Sequence, residues 1–211
     1  MSDDIDTRPI ELVTDDGVTL GGDLAVPADV TAAAVVCHPH PQMGGDRHNA
    51  VVDAIFRGLA AAGVAVVRFD FRGVGRSEGT YGSGVDERLD TSVALGAAAG
   101  LAPGAPLWSI GYSFGGDVAL STDHPNLTGW VAIAAPLSVI AEEPPAATDD
   151  RPTTLVVPVH DQFRPPAAAR DATAEWSATA VIEIDMADHF LAGRHSAVVD
   201  AVVEVVTPDG R

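Results

Sequence analysis

Leu107-Trp108-Ser109-Ile110-Gly111-Tyr112-Ser113-Phe114-Gly115 is the stretch on which the reading of this chain turns. Residues 107–110 have the length and apolar character of a buried strand, and 114–121 suits a helix. A strand that passes straight into a helix leaves Ser113 at the apex, with glycine two positions to either side. Such a turn strains the apical backbone, and a side chain at either glycine would collide with neighbouring structure. It also lifts the serine hydroxyl above the sheet, where a nucleophile belongs. A glycine-rich turn without chemistry would carry the same five residues, so the surroundings decide.

Outward from this point the same rhythm repeats. Continuous apolar runs at 32–37, 64–69, 107–110, 130–134, 154–159 and 180–184 read as six strands of a buried parallel sheet. Alanine-rich segments bounded by glycine or proline, 49–62, 85–99, 114–121, 166–176 and 193–206, read as helices between and after them. The alternation predicts an α/β domain with helices on both faces of a mostly parallel central sheet. Upstream, Thr14-Asp15-Asp16-Gly17 separates 9–13 from 18–26, and an Asp-Gly pair in that setting predicts an N-terminal antiparallel hairpin. Residues 138–152 lack apolar periodicity and read as an exposed loop, too short for a lid domain. With 211 residues, 46% of them hydrophobic, and no internal repeat, residues 1–211 are expected to form one domain.

A serine hydroxyl is a weak nucleophile near neutral pH and needs a base, with a carboxylate behind the base to fix its tautomer. The run 154–159 ends at His160-Asp161, and a carboxylate at the carboxyl end of a parallel strand faces the crevice where such sheets bind ligands. Asp161 is the expected acid. The last run is followed by Asp185-Met186-Ala187-Asp188-His189-Phe190, which places His189 in a loop at the same edge as the expected base. Asp185, Asp188 and His160 stand beside these positions as rivals and otherwise read as solvated loop residues. His195 is expected one turn into the final helix, facing solvent, and His124 in an ordinary loop.

Acyl transfer also requires donors for the developing oxyanion. The residue after the nucleophile supplies one, the Phe114 N–H. The loop His38-Pro39-His40-Pro41-Gln42-Met43-Gly44-Gly45 should supply another, and because proline lacks an N–H, His40 is the choice. The alternative for this loop is a metal site using His38, His40 and His48, but zinc needs three or four convergent ligands and no further cluster continues the pattern. His38 reads instead as a buried histidine bonded to loop backbone. The stretch 68–79 is glycine-rich, yet Gly73, Gly75 and Gly79 have the wrong spacing for a dinucleotide turn, and the chain has no lysine for a phosphate loop. Its expected role is a structural turn in which Asp70, Arg72 and Ser77 bond loop backbone. No cofactor and no metal are expected.

Thirty acidic residues against twelve basic ones give a net charge of −18. That field repels nucleic acid and anionic membranes, so neither is an expected partner. No apolar run approaches the roughly 18 residues of a membrane span, and the start is acidic where a secretory signal would be basic, so a soluble cytoplasmic protein is expected. The single cysteine, Cys37, ends an apolar run and reads as a small buried hydrophobe.

With its landmarks in order, the chain resembles the α/β-hydrolase superfamily, in particular its small lidless members related to dienelactone hydrolases and short-chain esterases. The landmarks are His38-Pro39-His40-Pro41 with Gly44-Gly45, Arg72-Gly73-Val74-Gly75-Arg76-Ser77, Gly111-Tyr112-Ser113-Phe114-Gly115 and Ala187-Asp188-His189-Phe190. The resemblance implies an eight-stranded sheet, a Ser/His/Asp triad in the chain order Ser113, Asp161, His189, and hydrolysis of small esters or related acyl compounds without a cofactor. One departure is Pro158, where relatives often carry glycine before the acid. The expected function is hydrolysis of a small carboxylic ester or thioester through an acyl-enzyme on Ser113. The alternatives are a non-catalytic small-ligand-binding protein of the same fold, and a peptidase or acyltransferase.

Overall fold

The computed structural model describes residues 6–139 and 143–207. Strands β1 (Thr7–Val13) and β2 (Thr19–Ala25) form the hairpin, its turn closed by Gly17 N–H donating to the Thr14 carbonyl at 2.9 Å. Then follow β3 (Ala32–Cys37), α1 (Ala50–Ala61), β4 (Val64–Phe69), α2 (Glu87–Leu101), β5 (Leu107–Tyr112), α3 (Phe114–Leu120) and β6 (Leu127–Ile133). The remainder is α4 (Pro145–Thr148), β7 (Thr153–His160), α5 (Pro166–Ala172), β8 (Thr179–Asp188) and α6 (His195–Val206). One eight-stranded sheet takes the order β1-β2-β4-β3-β5-β6-β7-β8, antiparallel through β4 and parallel from β4 to β8.

The continuous apolar runs are continuous because both faces are covered. Ala32, Ala34 and Val36 of β3 join Val64 and Val66 of β4 under α1 and α6. Ala33, Val35 and Cys37 join Ala65, Val67 and Phe69 under α2 and α3 on the opposite face. Burial pushes the Cys37 thiol up to about 12, so it stays protonated and packs as the small hydrophobe its position suggested.

Three local expectations need correction. Residues 138–152 are not all loop: Pro145 starts the four-residue α4, whose Ala146 and Ala147 are buried, and the Ala146 carbonyl accepts the Thr153 hydroxyl. Proline at the first helical position and the two alanines explain the turn of helix; residues 140–142 of that expected loop lie outside the described residues. His195 opens α6 and is half-buried, because Gly193 and Arg194 belong to the preceding turn. Arg72 spends its guanidinium on Asp90 (2.8 Å) and Asp16 (2.9 Å), not on loop backbone. By contrast, the Ser77 hydroxyl donates to the Asp70 carbonyl (2.7 Å), as a structural turn requires.

Candidate active site

The elbow at Ser113 has φ 53° and ψ −122°, a left-handed conformation that serine adopts only when its surroundings impose it. They do so through close approach at both glycines. A Cβ on Gly111 would lie 2.0 Å from the Gly115 carbonyl oxygen, and one on Gly115 would lie 2.4 Å from that of His38. The apex is further held by Ser113 N–H, which donates to the Ile133 carbonyl at 2.8 Å. The hydroxyl is consequently presented at the carboxyl end of β5.

His189 meets it there. Ser113 Oγ and His189 Nε2 are 3.0 Å apart, and His189 Nδ1 lies 2.9 Å from Asp161 Oδ2. Asp161 and His189 are 4% and 6% exposed, so the contact between them is screened from bulk water, whereas Ser113 is half-buried. Burial opposes ionisation of Asp161, but hydrogen bonds from His189 and from the Arg164 and Phe163 N–H groups outweigh it and hold the carboxyl below the usual range. The imidazole is braced as well: Tyr112 Oη donates to the His189 carbonyl at 3.0 Å, and His189 N–H donates to Gln162 Oε1 at 3.3 Å.

The segment carrying His189 is more regular than expected, since β8 runs to Asp188 and the histidine follows the strand directly. A register shift between Pro158 and His160 and the positive φ of Met186 (50°) re-aim the two strand ends. Pro158 is tolerated because pairing of β7 with β6 ends at Val156. Of the rivals, Asp188 accepts the Phe190 N–H (3.0 Å) and His160 is exposed; neither enters the Ser113–His189–Asp161 line. His124 accepts the Asn126 N–H at 3.2 Å in a surface loop.

Both His38 and His40 occupy the loop after β3, and they do different work. His38 is fully buried, with Nδ1 donating to the Pro39 carbonyl (2.6 Å) and Nε2 accepting the Phe71 N–H (3.0 Å). Burial pushes its pKa down to about 4, so it is neutral at pH 7 and has no nitrogen to offer a metal. His40 Nδ1 accepts the Gln42 N–H at 3.2 Å, which places its proton on Nε2, 3.1 Å from Tyr81 Oη. The His40 and Tyr81 rings both pack on Phe114, at 5.0 and 5.8 Å. The Phe114 N–H is the first of α3 and therefore has no intrahelical acceptor.

Residues 29–198 match the family model described as serine aminopeptidase, S33. The chain belongs to this family. The S33 chain has a curated relative in Rickettsia prowazekii (strain Madrid E), the uncharacterized protein RP471, 36% identical over 110 residues, or 51% of this chain. That match covers 46% of RP471, so the chain spans about half the length of the curated relative it matches. Among solved structures, an alpha-beta serine hydrolase homologue from Coxiella burnetii superimposes with a TM-score of 0.83 at 24% identity, over 94% of this chain and 97% of that one. XC6422 from Xanthomonas campestris, an α/β serine hydrolase without lid, gives 0.80 at 27% identity over 96% and 94%. The Pyrococcus furiosus esterase Pf2001 gives 0.80 at 17% identity over 99% and 95%, a likeness of fold. The S33 chain thus has the α/β-hydrolase fold, and no lid is evident among its described residues.

Several residues around the S33 site escape a reading of the sequence. Asp117, 1% exposed, accepts the N–H groups of Leu137, Ser138 and Val139 at 2.9, 2.9 and 3.0 Å and so ties the loop after β6 to α3. Glu87 is fully buried and accepts the Gly82 and Gly84 N–H groups, both at 2.7 Å, which sets the loop bearing Tyr81. Their partners lie in separate loops or in a turn without periodicity, and no local pattern announces either one. Among the described residues no helix is long and apolar enough to cross a membrane.

Proposed function

We propose that this chain is a serine hydrolase that cleaves a small carboxylic ester or thioester through an acyl-enzyme on Ser113. The observation that carries the reading is the continuous line from Ser113 Oγ to His189 Nε2 (3.0 Å) and from His189 Nδ1 to Asp161 Oδ2 (2.9 Å). In the proposed reaction Ser113 Oγ bonds to the acyl carbon while its proton passes to His189 Nε2. The Phe114 and His40 N–H groups stabilise the resulting oxyanion. The bond to the leaving oxygen or sulfur then breaks, and that atom takes the proton from His189. A water molecule gives its proton to His189, attacks the acyl carbon and releases the acid, returning the proton to Ser113. Asp161 stays ionised throughout and stabilises the imidazolium, in keeping with its lowered pKa.

The test is turnover of p-nitrophenyl acetate and butyrate by the wild type and by Asp161→Asn, which keeps the shape of the acid but favours the wrong histidine tautomer. The reading predicts turnover by the wild type and a loss in kcat of about 10⁴ in the variant. A folded wild type that turns over neither ester contradicts it and favours a ligand-binding role. The family description supports one second reading, peptide hydrolysis. Faster cleavage of aminoacyl p-nitroanilides than of the matching esters would establish that reading in its place.

A further inference from the structure

On the reading above, His189 Nε2 hands a proton to the departing atom, so side chains that pack beside this imidazole and project into solvent are within reach of the leaving group. Two phenyl rings do. Phe163 lies two residues beyond Asp161, with its ring centroid 4.5 Å from that of His189; Phe190 stands 5.7 Å away and nearly perpendicular. Their backbones are pinned by the same loops: Phe163 N–H donates to Asp161 Oδ1 (2.7 Å) and Phe190 N–H to Asp188 Oδ1 (3.0 Å).

Neither ring serves the core. Phe163 is 61% and Phe190 66% exposed, whereas Phe56, Phe69, Phe71 and Phe114 are each at most 1% exposed. Met186, 71% exposed, adds a further apolar side chain on the strand leading to His189. Two aromatic surfaces left in water beside a proton donor are suited to a flat apolar partner. The net charge of −18 disfavours an anionic one.

We propose that Phe163 and Phe190 form a leaving-group subsite that accepts an uncharged aryl-bearing alcohol or thiol. The proposal rests on the acyl-enzyme reading. In the step concerned, the C–O or C–S bond to the leaving group breaks as His189 Nε2 gives that atom the proton taken from Ser113, and the neutral alcohol or thiol departs past the rings. Hydrolysis of the acyl-enzyme follows after the leaving group has gone, so the selectivity belongs to acylation and appears in kcat/KM.

The experiment compares benzyl acetate with methyl acetate, whose alcohols are similar in acidity, so that the ratio of kcat/KM values reports the subsite and not the chemistry of departure. The expected wild-type ratio is about a hundredfold in favour of benzyl, falling about tenfold in Phe163→Ala and again in Phe190→Ala. Phe163→Leu, which keeps an apolar side chain beside the imidazole, should give an intermediate ratio. The same subsite works in reverse: benzyl alcohol should intercept the acetyl-enzyme formed from p-nitrophenyl acetate more efficiently than methanol at equal concentration. A wild-type ratio near one, or a ratio unchanged in both alanine variants, overturns the subsite while turnover of p-nitrophenyl acetate leaves the hydrolase reading standing. Failure to turn over any of these esters overturns both. A wild type that self-associates in sedimentation equilibrium while the double alanine variant is monomeric would assign the rings to an interface between copies, and also overturns it.

Discussion

The tautomer of His40 is set by a single backbone group: because Gln42 N–H donates to Nδ1, the ring proton sits on Nε2 and points at Tyr81 Oη, 3.1 Å away. Tyr81 therefore anchors the loop whose backbone N–H is proposed to face the oxyanion. Removing its hydroxyl costs one neutral hydrogen bond, so Tyr81→Phe is predicted to lower kcat for p-nitrophenyl acetate about fivefold with KM little changed. An equal rise in KM with kcat preserved would place Tyr81 in substrate binding instead. At this scale the sequence located a residue where its place in the fold depends on its neighbours in the chain. Ser113 between its glycines and Asp161 and His189 after their strands are of this kind, and the structure brings the three together. Tyr81, Glu87 and Asp117 act on loops whose approach is decided by the packing of whole helices, and no local pattern encodes that.

The elements follow from the apolar rhythm closely where both faces are covered: β3 and β4 begin and end where the runs 32–37 and 64–69 do. Boundaries shift where something other than burial sets them. β8 extends past its apolar run to Asp188 because pairing continues through a register shift, and α4 arises from proline and alanine in a segment without periodicity. Helix packing supplies an element-scale prediction at the α1–α6 crossing, where a Cβ on Gly58 would lie 2.2 Å from Val199 Cγ1. Gly58→Ala gains roughly 1 kcal/mol of helix propensity but forces two helices apart, and overpacking costs typically about 1–3 kcal/mol. Thermal unfolding should show Gly58→Ala destabilised in the wild-type background and neutral or stabilised in a Val199→Ala background. The same sign in both backgrounds would refute the steric account.

For the molecule as a whole, acid stability is tied to His38. Burial lowers its pKa from 6.5 to about 4 in the folded state, so between those values the unfolded chain binds more protons. Its contribution to stability is present above pH 6.5 and is lost as pH falls from 6.5 toward about 4. Asp117, whose pKa burial raises, pulls the other way: its buried charge costs least when it is protonated at low pH. The difference between wild type and His38→Gln therefore isolates the histidine, and urea midpoints at pH 7, 5.5 and 4.5 should fall less steeply in the variant. Parallel slopes would contradict this assignment. Activation of Ser113 as a nucleophile is read most directly by reaction with a fluorophosphonate followed by peptide mass spectrometry. One adduct is expected, on the peptide bearing Ser113, and none in Ser113→Ala. A folded wild type that stays unlabelled, or labels equally in Ser113→Ala, would contradict it.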